Sequence, residues 1–153
     1  MTEAGEKTVA TTGEVIEVLR EAMETGDDTR FIAQFAEDAV YETPFVLDGQ
    51  PSRLEGFETI SKVLGAEHLM KKLLEFQKVS VQVYPAADHE VATAQFTIEG
   101  KVVAGGDSFV LPSSVGIIRV RHGKIVHYTD YTNILRGAQI AGVLKQFAES
   151  LVQ

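Results

Sequence analysis

The sequence predicts an α+β domain: helices first, then a curved antiparallel sheet, with the N-terminal helices wrapping the sheet around a central pocket. Three observations predict it. Apolar residues recur at helical spacing in the first part of the chain. From Phe76 onward the period changes to two, in four runs separated by turn residues. One strand-like run, "FAEDAVYETPF", sits between the helical regions. Helices and strands segregated in this way pack as layers, and the open face of such a sheet can be covered by a second copy in a homodimer.

Each element has its own signal. Val15, Val18, Leu19, Ala22 and Met23 form one face of a helix over roughly Thr12 to Thr25, which "TGDD" ends. Thr29 is a candidate N-cap for a short second helix burying Phe31, Ile32 and Phe35. The strand that follows meets Pro44, the mark of an edge or an end. Gly56 opens a third helix with Ile60, Val63 and Leu64 on its apolar face; Gly65 breaks it before Leu69, Leu73 and Leu74 resume the pattern. Then come "FQKVSVQVYPA", "HEVATAQFTIEGKVV", "SFVLPSSVGIIRV" and, after the tight "RHGK" connection, "GKIVHYTDYTNI". Ile140, Val143, Leu144, Phe147 and Leu151 predict one closing helix.

The chain of 153 residues fits one domain with a substantial core. Residues 1–12 read as a flexible leader and 13–153 as the domain. The leader has neither the apolar core nor the basic start of a secretory signal. No apolar run approaches the roughly 20 residues of a membrane span. With no cysteine, disulfides, a thiol nucleophile and a Cys-built zinc site are excluded, which fits a cytoplasmic protein. A net charge of −8 with scattered basic residues argues against nucleic-acid binding. The four histidines lack metal-ligand spacing, and neither a phosphate loop nor a nucleotide fingerprint occurs, so no metal and no cofactor is expected. Ser113 and Ser114 lack the glycines of a nucleophile elbow.

The last strand raises the functional question, because its middle holds His127, Tyr128, Asp130 and Tyr131. Alternation groups Val126, Tyr128, Asp130 and Thr132 on one face and His127 on the other. If that face is concave, Asp130 is a carboxyl in an apolar cavity, with its pKa pushed up and a general acid or base role open to it. The competing reading is a strand-end aspartate accepting structural hydrogen bonds. Tyr41 alternates with Thr43 and Phe45 on the first strand and is a candidate orienter or oxyanion donor; a slip of one residue puts Glu42 inside instead. Glu99, in a polar row with Gln95 and Thr97, is a candidate second carboxylate or part of a solvated face. His68, in the broken third helix, is a candidate pocket-rim residue.

"GDDTRFIAQFAEDAVYETPF" with "LEGFETISKVL" resembles the front half of the nuclear transport factor 2-like cone fold, where a short helix runs into F-x-x-D-A and a strand. "GIIRVRHGKIVHYTDYTNI" resembles the last hairpin of its SnoaL-like branch. The resemblance covers roughly residues 14 to 134. It implies a cone-shaped pocket and the activities of that superfamily, which include polyketide cyclases, limonene epoxide hydrolases, ketosteroid isomerases and non-catalytic binders. The position of the isomerases' catalytic aspartate is Thr43, and that of their helical tyrosine lies near Leu19. The epoxide hydrolases' terminal aspartate matches Asp130, while their arginine and second aspartate fall on Thr97 and Glu99. The implied function is a cofactor-independent SnoaL-like enzyme. It would act on an apolar, natural-product type of small molecule by proton transfer, cyclisation or isomerisation. Asp130, Tyr41 and Glu99 would be catalytic, and Tyr128, Phe45, Leu19, Thr43 and His68 would contact substrate. Epoxide opening and non-catalytic small-molecule binding are the alternatives.

Overall fold

The computed structural model describes residues 8–66 and 69–152. Helix α1 spans Thr12–Thr25. Its capping box is complete: the Thr11 hydroxyl accepts from the Glu14 amide, and Glu14 accepts from the Thr11 amide. The apolar stripe of Val15, Ile16, Leu19 and Ala22 is buried, each large side chain contributing about 1.5–3 kcal/mol. The polar side of α1 is also tied down. Arg20 donates to the Val79 carbonyl at 3.0 Å, and Glu24 accepts from the Val79 amide at 2.9 Å.

Helix α2 (Asp28–Ile32) is capped by Asp27, whose carboxylate accepts from the Arg30 amide, and not by Thr29. Strand β1 (Phe35–Glu42) follows, then a short strand β2 (Arg53–Glu55) that the sequence did not announce. Helix α3 spans Phe57–Leu64, and α4 spans Leu69–Leu73. Leu74 belongs not to that helix but to the start of β3 (Leu74–Pro85), where it is buried. The meander continues through β4 (Val91–Val102), β5 (Ser108–Arg121) and β6 (Lys124–Thr132). The closing segment is two helices, α5 (Ile134–Ile140) and α6 (Leu144–Leu151), rather than one. Gly142 between them has φ of 76°, a conformation that costs a side-chain-bearing residue far more than glycine.

The sheet order is β2-β1-β6-β5-β4-β3. The last four strands form the expected antiparallel meander, but β1 joins β6 in parallel, so the sheet is mixed. Ala92, Ala94, Phe96 and Ile98 of β4 and Ile118 and Val120 of β5 carry the core on the inner face, under α1. Val126 departs from the predicted alternation. The register shifts between Arg119–His127 and Val120–Ile125, so β6 carries one extra residue there, a bulge. Ile125, fully buried, shares the inner side with Tyr128, and Val126 does not.

Candidate active site

Two strand pairings assemble the site. In the parallel β1–β6 pair Tyr41 stands beside Tyr128, and in the antiparallel β5–β6 pair Gly116 faces Asp130. Tyr41 and Tyr128 are 8 % and 3 % exposed. Their rings lie 5.2 Å apart, and Phe35 stacks on Tyr128 at 6.1 Å, an aromatic floor on the inner face. The absence of a side chain at Gly116 makes room for it: a Cβ there would stand 2.9 Å from the Tyr128 ring.

Over this floor, between the sheet and helices α1 and α2, lies a cavity of about 470 Å³. Met23, Phe31, Leu64 and Phe76 supply apolar wall, and Tyr41, Tyr128 and Asp130 reach it from the sheet. At its rim Lys71 of α4 and Asp28 of α2 form an ion pair. The Tyr41 hydroxyl donates to Asp130 Oδ2. Asp130 Oδ1 is buried and has no hydrogen-bond partner among the described residues, an uncommon state for a buried polar atom.

Burial pushes the Asp130 carboxyl above its usual range; the Tyr41 hydrogen bond and the Thr132 side chain oppose the shift without cancelling it. Burial, followed by the nearby Asp130 charge, holds both tyrosines well above the ordinary phenol value, so both stay protonated donors. Tyr128, 3 % exposed, lines the cavity beside Asp130.

The other predicted residues are placed elsewhere. Glu99 and Thr97 lie on the opposite face of β4 from Phe96 and Ile98, and Glu99 faces Lys78 at 3.8 Å. Strand β1 stops at Glu42, so its alternation does not carry Thr43 and Phe45 into the cavity. Thr43 instead donates its amide to the Ser52 carbonyl, and Phe45, 71 % exposed, packs edge-on against Tyr131 outside. Leu19 is fully buried in the core and does not line the cavity. Glu42 points outward, to Arg53 and His127, which resolves the register in favour of Tyr41. His68 lies outside the described residues. Sequence reasoning missed Met23, Phe31, Lys71, Ser114 and Gly116 as site residues. Only Gly116 carried a signal, as a glycine inside an apolar strand, which marks a close approach. No group of three or more His, Asp or Glu side chains able to hold a metal occurs among the described residues.

A curved six-stranded sheet with a helical cover defines a class: small α+β proteins of the nuclear transport factor 2-like fold. The SnoaL-like domain family matches residues 15–128, and the chain belongs to that family. It is 30 % identical over 129 residues to an uncharacterized PhzA/B-like protein of Pseudomonas aeruginosa, spanning 83 % of this chain and 87 % of that one. A Bacillus subtilis structure described as a candidate isomerase is 27 % identical with a TM-score of 0.70, over 86 % of this chain and 92 % of the other. A candidate polyketide cyclase of Pseudomonas putida has the same fold at 24 % identity, with a TM-score of 0.59 over 82 % and 93 % of the two chains. No helix among the described residues is long and apolar enough to cross a membrane.

Proposed function

We propose that the protein is an enzyme that moves protons on a largely apolar, carbonyl-bearing small molecule of natural-product type, closing a ring or isomerising it without a cofactor. The observation that carries this is the state of Asp130: one oxygen bound by Tyr41, the other buried, unpartnered and at an apolar cavity. A merely structural aspartate would have both oxygens engaged. Asp130 Oδ1, as carboxylate, takes a proton from the carbon next to a carbonyl. The C–H electron pair moves onto the carbonyl oxygen, giving an enolate. Tyr41 holds the carboxylate in place, and the Tyr128 hydroxyl donates to the developing oxyanion. From a β,γ-unsaturated ketone the resulting dienolate takes the proton back from Asp130 at its γ-carbon; otherwise the enolate carbon attacks a second carbonyl in the same molecule, forming the ring, and the new alkoxide takes the proton back from Asp130. Epoxide opening is less well supported, because Thr97 and Glu99 stand on the opposite face of β4 from the core.

The test is hydrogen–deuterium exchange at the α-carbon of a cyclic ketone probe, 2-tetralone, followed by NMR. The protein should accelerate exchange over buffer, Asp130→Asn should abolish the acceleration, and Tyr41→Phe should weaken it. Acceleration that survives in Asp130→Asn, or an Asp130 carboxyl that titrates in the ordinary aspartate range by NMR, would refute the assignment. The proposal extends to a homodimer through the outer face of the sheet, where Val110 and Ile117 of β5 stand 58 % and 41 % exposed.

A further inference from the structure

A second cavity, of about 600 Å³, lies on the far side of Leu74 and Phe76, between the sheet and the closing helices α5 and α6. We propose that it receives the hydrocarbon chain of an amphiphilic substrate whose carbonyl-bearing head lies at Asp130. The inference rests on the proton-transfer reading above for the head and adds the chemical class of the rest of the molecule.

Three features support it. The two cavities share a wall: Leu74 and Phe76 line both, so an occupant of one touches the side chains that bound the other. Thr132, which lines the second, is two residues beyond Asp130 on β6, roughly 7 Å along a strand. The second cavity also selects against polar ligands. No charged residue lines it among the described residues, whereas Glu24, Asp28, Lys71 and Asp130 line the first. Its polar groups are largely spent on the protein itself. Ser113 donates to the Phe96 carbonyl at 3.3 Å, Asn133 to the Pro112 carbonyl at 2.9 Å, and Ser150 to the Phe147 carbonyl at 2.6 Å. Thr132 and Gln146 are its other polar side chains, and the rest of the wall, with Met70, Ile98, Leu111, Val143 and Phe147, is apolar surface suited to an alkyl chain. Its roof, α5 and α6, comes after residue 128, where the family match ends.

The experiment is isothermal titration of straight-chain 1-alkanols from butanol to dodecanol. Affinity should rise about fourfold per added methylene, the worth of burying one CH₂ group, and should keep rising beyond the shorter alcohols. Gly137 of α5 lines the second cavity, and a Cβ there meets only the Met70 methyl at 3.4 Å and Leu111 at 3.9 Å. Gly137→Leu, which also favours the helix, should flatten the rise for long chains and leave the shortest alcohols unchanged. Val143→Phe should do the same from the neighbouring turn. A wild-type plateau at the short alcohols, or equal weakening at every length in both variants, would overturn the proposal. So would loss of a dimer in the variants by sedimentation, which would assign the cavity to a contact between copies. The two readings fail separately. A length-dependent rise without Asp130-dependent exchange leaves the chain site and removes the chemistry; the reverse removes only the chain site.

Discussion

Replacing Tyr41 with phenylalanine tests the buried pair most directly. The ring keeps its packing against Tyr128 and Phe35, and only the hydroxyl that donates to Asp130 is lost. With Asp130 charged, that is a hydrogen bond to an ion, worth about 1.5–3 kcal/mol; with Asp130 protonated it is an ordinary one, worth about 0.5–1.5 kcal/mol. The cost of Tyr41→Phe therefore depends on pH. The Asp130 carboxyl has a folded pKa above its unfolded value. The stability this proton binding contributes is present at low pH and is lost as pH rises through the folded pKa. Removing the hydroxyl raises the folded pKa further, so the variant goes on losing stability to a higher pH than the wild type, and the difference is largest above both values. Urea unfolding at pH 4 and pH 8, in the Asp130 and the Asp130→Asn backgrounds, measures it. The Tyr41→Phe cost should be larger at pH 8 only while Asp130 is present. Equal costs at both pH values, or additivity of the two substitutions within about 0.5 kcal/mol, would refute the coupling.

Asp130→Asn keeps an acceptor for Tyr41 and removes the desolvated charge. It should raise the melting temperature at neutral pH and flatten the fall of stability with rising pH, the trade expected where an acid is kept buried for function. Gly116→Ala should destabilise by about 1–3 kcal/mol, because the buried Tyr128 ring has to move from a new Cβ; 2-tetralone exchange should fall with it. Glu99→Gln should leave exchange unchanged and stability within about 0.5 kcal/mol, as for other surface substitutions; a large loss of exchange would put Glu99 back in the chemistry. Sedimentation equilibrium should show a dimer that Ile117→Lys dissociates, and an unchanged mass in that variant would remove the outer-face interface.

Most of the fold was legible because its signals are local. The period of α1, its end at "TGDD" and the change of period after Phe76 are each readable within a dozen residues. What escaped depends on partners far away in the chain. The bulge at Val126 is a mismatch between two strands, which neither strand's own sequence shows. The β1–β6 pairing is parallel and joins strands about ninety residues apart, so no turn signal announces it. Strand β2 exists only by pairing its three residues with β1. The closing helix divides because Gly142 takes a left-handed turn, and apolar spacing alone does not reveal that.

The candidate site divides along the same line. Asp130 and Tyr41 stood out by the faces that alternation gave them, and the structure brings them into one hydrogen bond. Phe45 and Thr43 were assigned by extending an alternation past the end of β1 at Glu42. Glu99 was ambiguous because alternation says which residues share a face but not which face is concave; the packing of Phe96 and Ile98 under α1 decides that. The parallel pairing also builds the geometry on which the proposed chemistry rests. It sets Tyr41 beside Tyr128 and brings its hydroxyl to Asp130, so one carboxylate oxygen is held while the other has no protein partner. An antiparallel β1 at that edge would run the other way, and Tyr41 would keep this place only in a different register. The strand pairing that the sequence concealed thus brings Tyr41 to the acid on which the sequence reading centred.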